Sequence, residues 1–340
     1  MYYPNLKTTD SELRAVRHLA ADVKGRITPV FELTRSRKTP TRPDGSLETR
    51  AKQLAEIYGN HPFILDLSTE QDLMNDETVD LFDEGGGYAN WKRFLEANFS
   101  KSITPCALYV EDGTEDNFKE QIRWIVTNYG RVCLRASVAD EFASTLYSWA
   151  LEVAGEKKII LCPILYYIDP TEYSKTVQAC QFYIANVVGN RYPDALIFAG
   201  SSFPRYVTDL PGCGDDRGAF ELNEIRLEDW LKQTFPNIPL EKSDFASVHP
   251  RRYPTKGGNW IPRIDYVEGD QFRYSRIRRE QGGYAAAAMR IDTPSIMKLP
   301  RCWGTNQIAS AKNGLVPGGS PSFWISVRIN CWITKRAGQL

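Results

Sequence analysis

The sequence predicts an α/β protein built as a (β/α)8 TIM-like barrel, with an N-terminal helix and a C-terminal extension. Three observations carry this. Short β-rich runs alternate with longer stretches of helical periodicity from residue 26 onward. Eight such runs can be counted, the number that closes a barrel. No Gly-rich dinucleotide fingerprint follows the first run, where FELTRSRKTP stands instead, which argues against a doubly wound open sheet.

The segment SELRAVRHLAADVKG (11–25) reads as a helix that closes the barrel bottom. RITPVFEL (26–33) is the first run, and the following helix places Leu47, Ala51, Leu54, Ala55 and Tyr58 on one face. PFILDLS (62–68) precedes a GGG loop and the helix YANWKRFLEANF. ITPCALYVE (103–111) leads to a helix that Thr114 is placed to cap and Gly130 to stop. RVCLRAS (131–137), KKIILCPILYYID (157–169) and DALIFAGSS (194–202) follow, the first two each trailed by an amphipathic segment. After a GCGDDRG loop and the helix FELNEIRLEDWLKQTF, the runs DFASVHP (244–250) and WIPRIDYV (260–267) complete the eight. Only RRYPTKGGN separates these two, too little for a crossover helix. The barrel is therefore expected over 1–267 and the extension over 268–340, with strands at FRYSRI and FWISVRIN and a short helix at Asn306 to Lys312.

With 42 basic and 42 acidic side chains in 340 residues, the net charge is zero, so whole-molecule attraction to nucleic acid or anionic membrane is excluded. A hydrophobic fraction of 42% suits a globular core. Seven cysteines without a CxxC pair are the usage of a reduced compartment. No apolar run reaches signal-peptide or spanning length, and a cytoplasmic location without membrane insertion is expected. Three histidines and no paired thiols leave a structural zinc site without a ligand set.

Barrel chemistry is built at the carboxyl ends of the strands. Ionisable residues interrupting apolar runs there are Glu32, Asp66, Glu111, Arg135, Asp169, His249 with Arg251, and Asp265. Glu32, Asp66, Arg135, His249 and Asp265 are the catalytic candidates: carboxylates as acid, base or metal ligand, Arg135 as an anion clamp, and His249 as general base. Structural ion pairing explains the same pattern, with Arg135 bridging two carboxylates. Glu32, Asp66, Glu111 and Asp265 would also suit a divalent cation, but their spacing identifies no metal and no cofactor. Gly200, Ser201 and Ser202 in FAGSSFPR resemble a phosphate-cradling turn, which a plain strand-to-loop turn explains equally. GxSxG, HExxH and GxxxxGK[ST] are absent.

Residues 251–279 depart from neutrality. Arg251, Arg252, Lys256, Arg263, Arg273, Arg276, Arg278 and Arg279 are interleaved with Tyr253, Trp260, Tyr266, Phe272 and Tyr274. Arg among aromatic residues is the composition of a protein-binding surface, and nucleic acid or nucleotide ranks second as partner. Arg251, Arg273 and Tyr274 are its candidate contact residues.

PVFELT, ILDLS, AGSSFP, DFASVHPR with WIPRIDY, CWGTNQIASAKNG and WISVRIN resemble, in order, the blocks of the bacteriophage beta-protein family. The match spans nearly the whole chain. Arg35, Arg37 and Lys38 make the loop after the first run more charged than the family pattern, and Cys331-Trp332 replace a more polar end. The family is carried by phages, satellites and bacterial mobile elements, so the resemblance implies an interaction protein of an anti-phage or toxin–antitoxin-like cassette with a protein partner from that cassette. The competing expectation is a barrel hydrolase or lyase acting on a phosphorylated or nucleotide-like ligand.

Overall fold

In the computed structural model, residues 1–253 and 260–338 are described; Lys256 lies outside them. The chain opens on a strand, β1 (Tyr2–Lys7), followed by helices α1 (Asp10–Arg17) and α2 (Ala21–Lys24). Then come β2 (Val30–Leu33), α3 (Leu47–Tyr58), β3 (Ile64–Leu67), α4 (Asp76–Leu81), α5 (Gly85–Asn98), β4 (Thr104–Pro105) and α6 (Glu115–Tyr129). Next are β5 (Val132–Ser137), α7 (Ala143–Ala154), β6 (Ile159–Tyr167), α8 (Tyr173–Tyr183), β7 (Ala195–Leu196) and β8 (Ala199–Ser201). The chain continues through β9 (Arg217–Glu221), α9 (Asn223–Thr234), β10 (Lys242–Asp244), β11 (Arg263–Glu268) and β12 (Gln271–Arg276). Helices α10 (Gly283–Met289), α11 (Thr293–Met297), α12 (Trp303–Lys312) and α13 (Pro321–Gly338) end it. The expected stops hold where local chemistry sets them. Thr114 accepts from the Asn117 amide at 3.4 Å, and Gly130 leaves α6 at φ 82°.

The fold is mixed α/β. One parallel sheet has the order β10-β1-β2-β3-β4; a second pairs β5 with β6, and β6 with β7 and β8. Single parallel bridges, Cys106 to Cys133 and Leu196 to Leu240, join the edges of these two sheets. Strand side chains alternate between faces. On one face Tyr3, Val30, Ile64, Cys106, Cys133, Ile160, Cys162, Ala195, Ile197, Ala199 and Phe245 pack into one apolar cluster drawn from both sheets. Their neighbours, such as Tyr2, Leu6, Phe31, Leu33, Leu65 and Leu67, pack outward against the helices.

Three expectations fail. WIPRIDYV is not part of the parallel set: as β11 it pairs antiparallel with β12, which pairs antiparallel with β9. The missing crossover is thus explained, since no parallel connection exists there, and the expected boundary at 267/268 lies inside this hairpin. RITPVFEL is not the first strand: β1 precedes the 11–25 segment, which is helical as α1 and α2, and sits centrally between β10 and β2. FWISVRIN is not a strand but the middle of α13, buried nearly all round from Ser326 to Ile333. There Asn330 donates to the Ala15 carbonyl of α1 (3.0 Å), Trp332 donates to Asp244 on β10 (3.0 Å), and Arg336 pairs with Glu228 on α9. Among the described residues no helix is long and apolar enough to cross a membrane. All seven cysteines are free.

Candidate functional site

Period-two alternation places the strand-end charges. Asn5 and Lys7 follow Tyr3 on one face of β1; Glu32 follows Val30, Asp66 follows Ile64, and Arg135 follows Cys133. Register aligns them, with Lys7 opposite Glu32 and Glu32 opposite Asp66. They therefore form a charged layer directly above the apolar cluster.

Arg135 is the hub. Its guanidinium donates to Asp66 Oδ2 (2.8 Å), Glu32 Oε2 (3.1 Å) and Asn5 Oδ1 (3.4 Å). Ser68 donates to Glu32 Oε1 (2.8 Å), and the Leu67 amide to Asp66 Oδ1 (2.9 Å). Lys7 pairs with Glu70 at 3.0 Å and lies 4.0 Å from Glu32. Desolvation opposes ionisation of Glu32, but the Lys7 and Arg135 charges outweigh it and hold this carboxyl below its ordinary range. Asp66 goes the other way: burial and the Glu32 charge outweigh Arg135 and raise it. Arg135 is itself desolvated, yet its two carboxylates raise its proton affinity further. The layer is a neutralised network in which no carboxylate stands free as a base.

The segment after β10 crosses these ends. Lys7 donates to the Pro250 carbonyl, and the Arg252 amide donates to Glu70 Oε2 (3.0 Å). His249 stacks on Tyr167 at 5.6 Å and packs against Tyr253 at 5.1 Å. Its Nδ1 is occupied by the Arg251 main chain at 2.9–3.1 Å, and burial lowers its proton affinity. Tyr166, Ala246 and Ser247, at the ends of β6 and β10, have φ of 58°, 48° and 64°, a region that favours glycine.

Other expected residues are placed elsewhere. Asp265 is bound by Arg263 (2.8 Å) and Arg328 (2.6 Å), not by Arg135. Tyr274 is buried and donates to the Gly214 carbonyl (2.7 Å), so it offers no contact group, whereas the Arg273 side chain is 41% exposed and paired with Glu268 (3.1 Å) at the surface. Ser201 and Ser202 are buried; Ser201 accepts from the Phe203 amide (3.1 Å), and Ser202 accepts from the Asn223 amide (2.7 Å) while donating to Glu224. A side chain at Gly200 would meet Ile168 at 2.7 Å, so packing requires this glycine. The turn is an internal brace and not an open anion cradle. Among the described residues no group of three or more His, Cys, Asp or Glu is arranged to hold a metal ion.

Sequence reasoning missed Asn5, Lys7, Ser68, Glu70 and Glu224. The first two lay in YYPNLK, where Pro4 argues against an interior strand. Glu224, at the start of α9, lines a small cleft with Ile168, Phe198 and Lys232. Burial raises its pKa to about 7 against the Ser202 hydrogen bonds. Folding therefore takes up a proton between the ordinary value of 4.5 and about 7, so this carboxyl costs nothing at low pH and destabilises as pH rises through that window. At about 1.4 kcal/mol per tenfold change in proton affinity, the loss by pH 8 is on the order of 3 kcal/mol. Glu224→Gln should flatten this slope, raising the urea midpoint at pH 8 with little change at pH 5. An unchanged slope would show that Glu224 is ionised in the folded chain.

The comparisons with known proteins fit the whole chain. The family model described as Beta protein matches residues 2–338. Protein beta of Enterobacteria phage P4 is 25% identical over 344 residues, covering 98% of this chain and 92% of that one. Old Yellow Enzyme from Pichia sp. AKU4542 overlays at a TM-score of 0.30 and 9% identity, across 72% of this chain and 78% of that one, too loosely to bear on fold or chemistry. With its model matched nearly from end to end, the chain belongs to the Beta protein family.

Proposed function

We propose that the two parallel sheets are halves of one (β/α)8 ring, and that the protein is a recognition protein that binds, and thereby neutralises, a partner protein encoded in the same phage-related defence or toxin–antitoxin-like cassette. The ring is supported by the two bridges between sheet edges and by the apolar cluster shared by both sheets. In this reading β7 and β8 are one broken strand, and α13 fills the eighth helical place between α1 and α9. The free thiols fit a reduced cytoplasm.

One observation carries the functional reading. The layer at the strand ends is spent on itself, with Arg135 holding both Glu32 and Asp66, and the 248–252 segment is tied across it. Catalysis by general acid and base needs a group free to exchange a proton with a substrate. The alternative, a hydrolase or lyase on a phosphorylated ligand, is favoured by the positive-φ residues Tyr166, Ala246 and Ser247, since backbone strain gathers at functional sites.

The test is co-expression with each protein encoded beside this one, followed by size-exclusion chromatography, for the native chain and Glu32→Gln. A stoichiometric complex that survives Glu32→Gln is expected. No complex with any neighbour, together with loss of the cassette's cellular phenotype in folded Glu32→Gln protein, would overturn recognition in favour of the enzyme.

A further inference from the structure

We infer that the loops over the strand ends carry an anchoring site for carboxylates, formed by Arg205 and Arg251, which takes an acidic segment of the partner protein. This rests on the recognition reading above. Arg205 lies 4.0 Å from the Tyr253 ring centre and 5.0 Å from that of Tyr206. Arg251 lies 4.8 Å over Tyr166. His249 links the two halves, packing on Tyr253 and Tyr167 and bonding the Arg251 main chain.

Arg135, Arg328 and Arg336 are each held by carboxylates inside the molecule. Arg205 and Arg251 are exposed and have no ion pair among the described residues. Arg226 over Tyr173 and Arg279 over Trp260 are also exposed, ring-seated and without an ion pair among the described residues; Arg205 and Arg251 differ in sharing one patch, joined through His249 and Tyr253 beside the strand ends. A guanidinium lying on a ring is positioned by the ring face, and its N–H edge stays open for bidentate bonding to an oxyanion. The ordering cost is met before a ligand arrives. The strain at Tyr166 gains a role here, since its left-handed backbone sets the ring beneath Arg251. Of the nearby acids, Glu70 is already engaged by Lys7 and the Arg252 amide and Asp169 by Thr171, while Asp209 also faces Tyr167.

Carboxylate and phosphodiester both fit a guanidinium fork, but the rings separate them. Single-stranded nucleic acid binds by stacking bases on free aromatic faces. Tyr166 and Tyr253 already carry a guanidinium, and Tyr167 carries the His249 imidazole, so one face of each ring is taken by a protein side chain.

The experiment measures fluorescence anisotropy of the full chain with a labelled ten-residue Asp/Glu-rich peptide and, separately, a labelled ten-nucleotide oligothymidylate. Native protein, Arg205→Gln, Arg251→Gln and the double variant are compared at low and moderate salt, with thermal melts to verify folding. The peptide should bind, weaken with salt, and lose at least tenfold in affinity in the double variant, while the oligonucleotide binds more weakly than the peptide. Tighter oligonucleotide binding would reassign the site to nucleic acid. Peptide binding that ignores the double variant, or no binding of either probe, would overturn the inference. If the cassette partner still forms its complex with the double variant, this site fails while the recognition reading stands.

Discussion

Arg135→Met is expected to destabilise the folded chain by about 3–5 kcal/mol, because it leaves Glu32 and Asp66 facing each other in a buried layer with their shared cation removed. Lys7, 4.0 Å from Glu32, still supports that carboxylate, but it is also engaged by Glu70 and makes no ion pair with Asp66 among the described residues. Most of that loss is a penalty on the orphaned carboxylates and not the worth of the pair. Adding Glu32→Gln and Asp66→Asn to Arg135→Met should therefore recover a large part of the stability. Denaturant titrations of the single, double and triple variants measure this coupling. If the three substitutions add independently, the layer is not the cooperative network that its geometry describes.

Asp244→Ala should cost a comparable amount for a different reason. Asp244 is 0% exposed and accepts from Tyr2 Oη (2.6 Å), Trp332 Nε1 (3.0 Å) and the Ala246 amide (2.7 Å), with Arg336 Nε at 3.3 Å. Removing it leaves three buried donors unmatched and Arg336 with Glu228 as its remaining carboxylate, for about 3–5 kcal/mol. The loss should appear first at the C-terminus, since Trp332 and Arg336 are what α13 uses to dock on β1 and β10. Hydrogen exchange should show α13 opening before the sheets in this variant. Uniform loss of protection across the chain would mean that α13 is held mainly by its apolar face.

These two effects bear on the function differently. The Arg135 layer lies directly beneath the proposed contact surface, so its repair in the triple variant provides folded protein without strand-end charges. Retained partner binding in that protein would separate recognition from any chemistry at the strand ends. Asp244 faces the outer side of the β10-β1 sheet, where Tyr2 and Trp332 pack, and it reports on the docking of α13.

The sequence by itself determined the alternation of strand and helix, the α6 cap and stop, the family, and the placing of Glu32, Asp66 and Arg135 at strand ends, where a bridge between the two carboxylates is one of the open readings. The family follows from the resemblance of its ordered blocks; the rest follows from local rules: period-two and period-3.6 patterns, capping chemistry, and the parity that sends residues two apart to one face. Tertiary structure decided which runs belong to which sheet. YYPNLK is a central strand despite Pro4, because partners on both sides supply what its own propensity lacks. WIPRIDYV and QFRYSR form a hairpin through Gly269-Asp270, a turn signal legible in the sequence, yet their alternation is equally that of a parallel strand. FWISVRIN reads as a strand because α13 is buried on nearly every side, which erases the one-sided stripe that marks a helix. The candidate residues split the same way: parity aligned the inner charges, but only the loop fold could seat Arg205 on Tyr253 and Arg251 on Tyr166, rings far away in sequence.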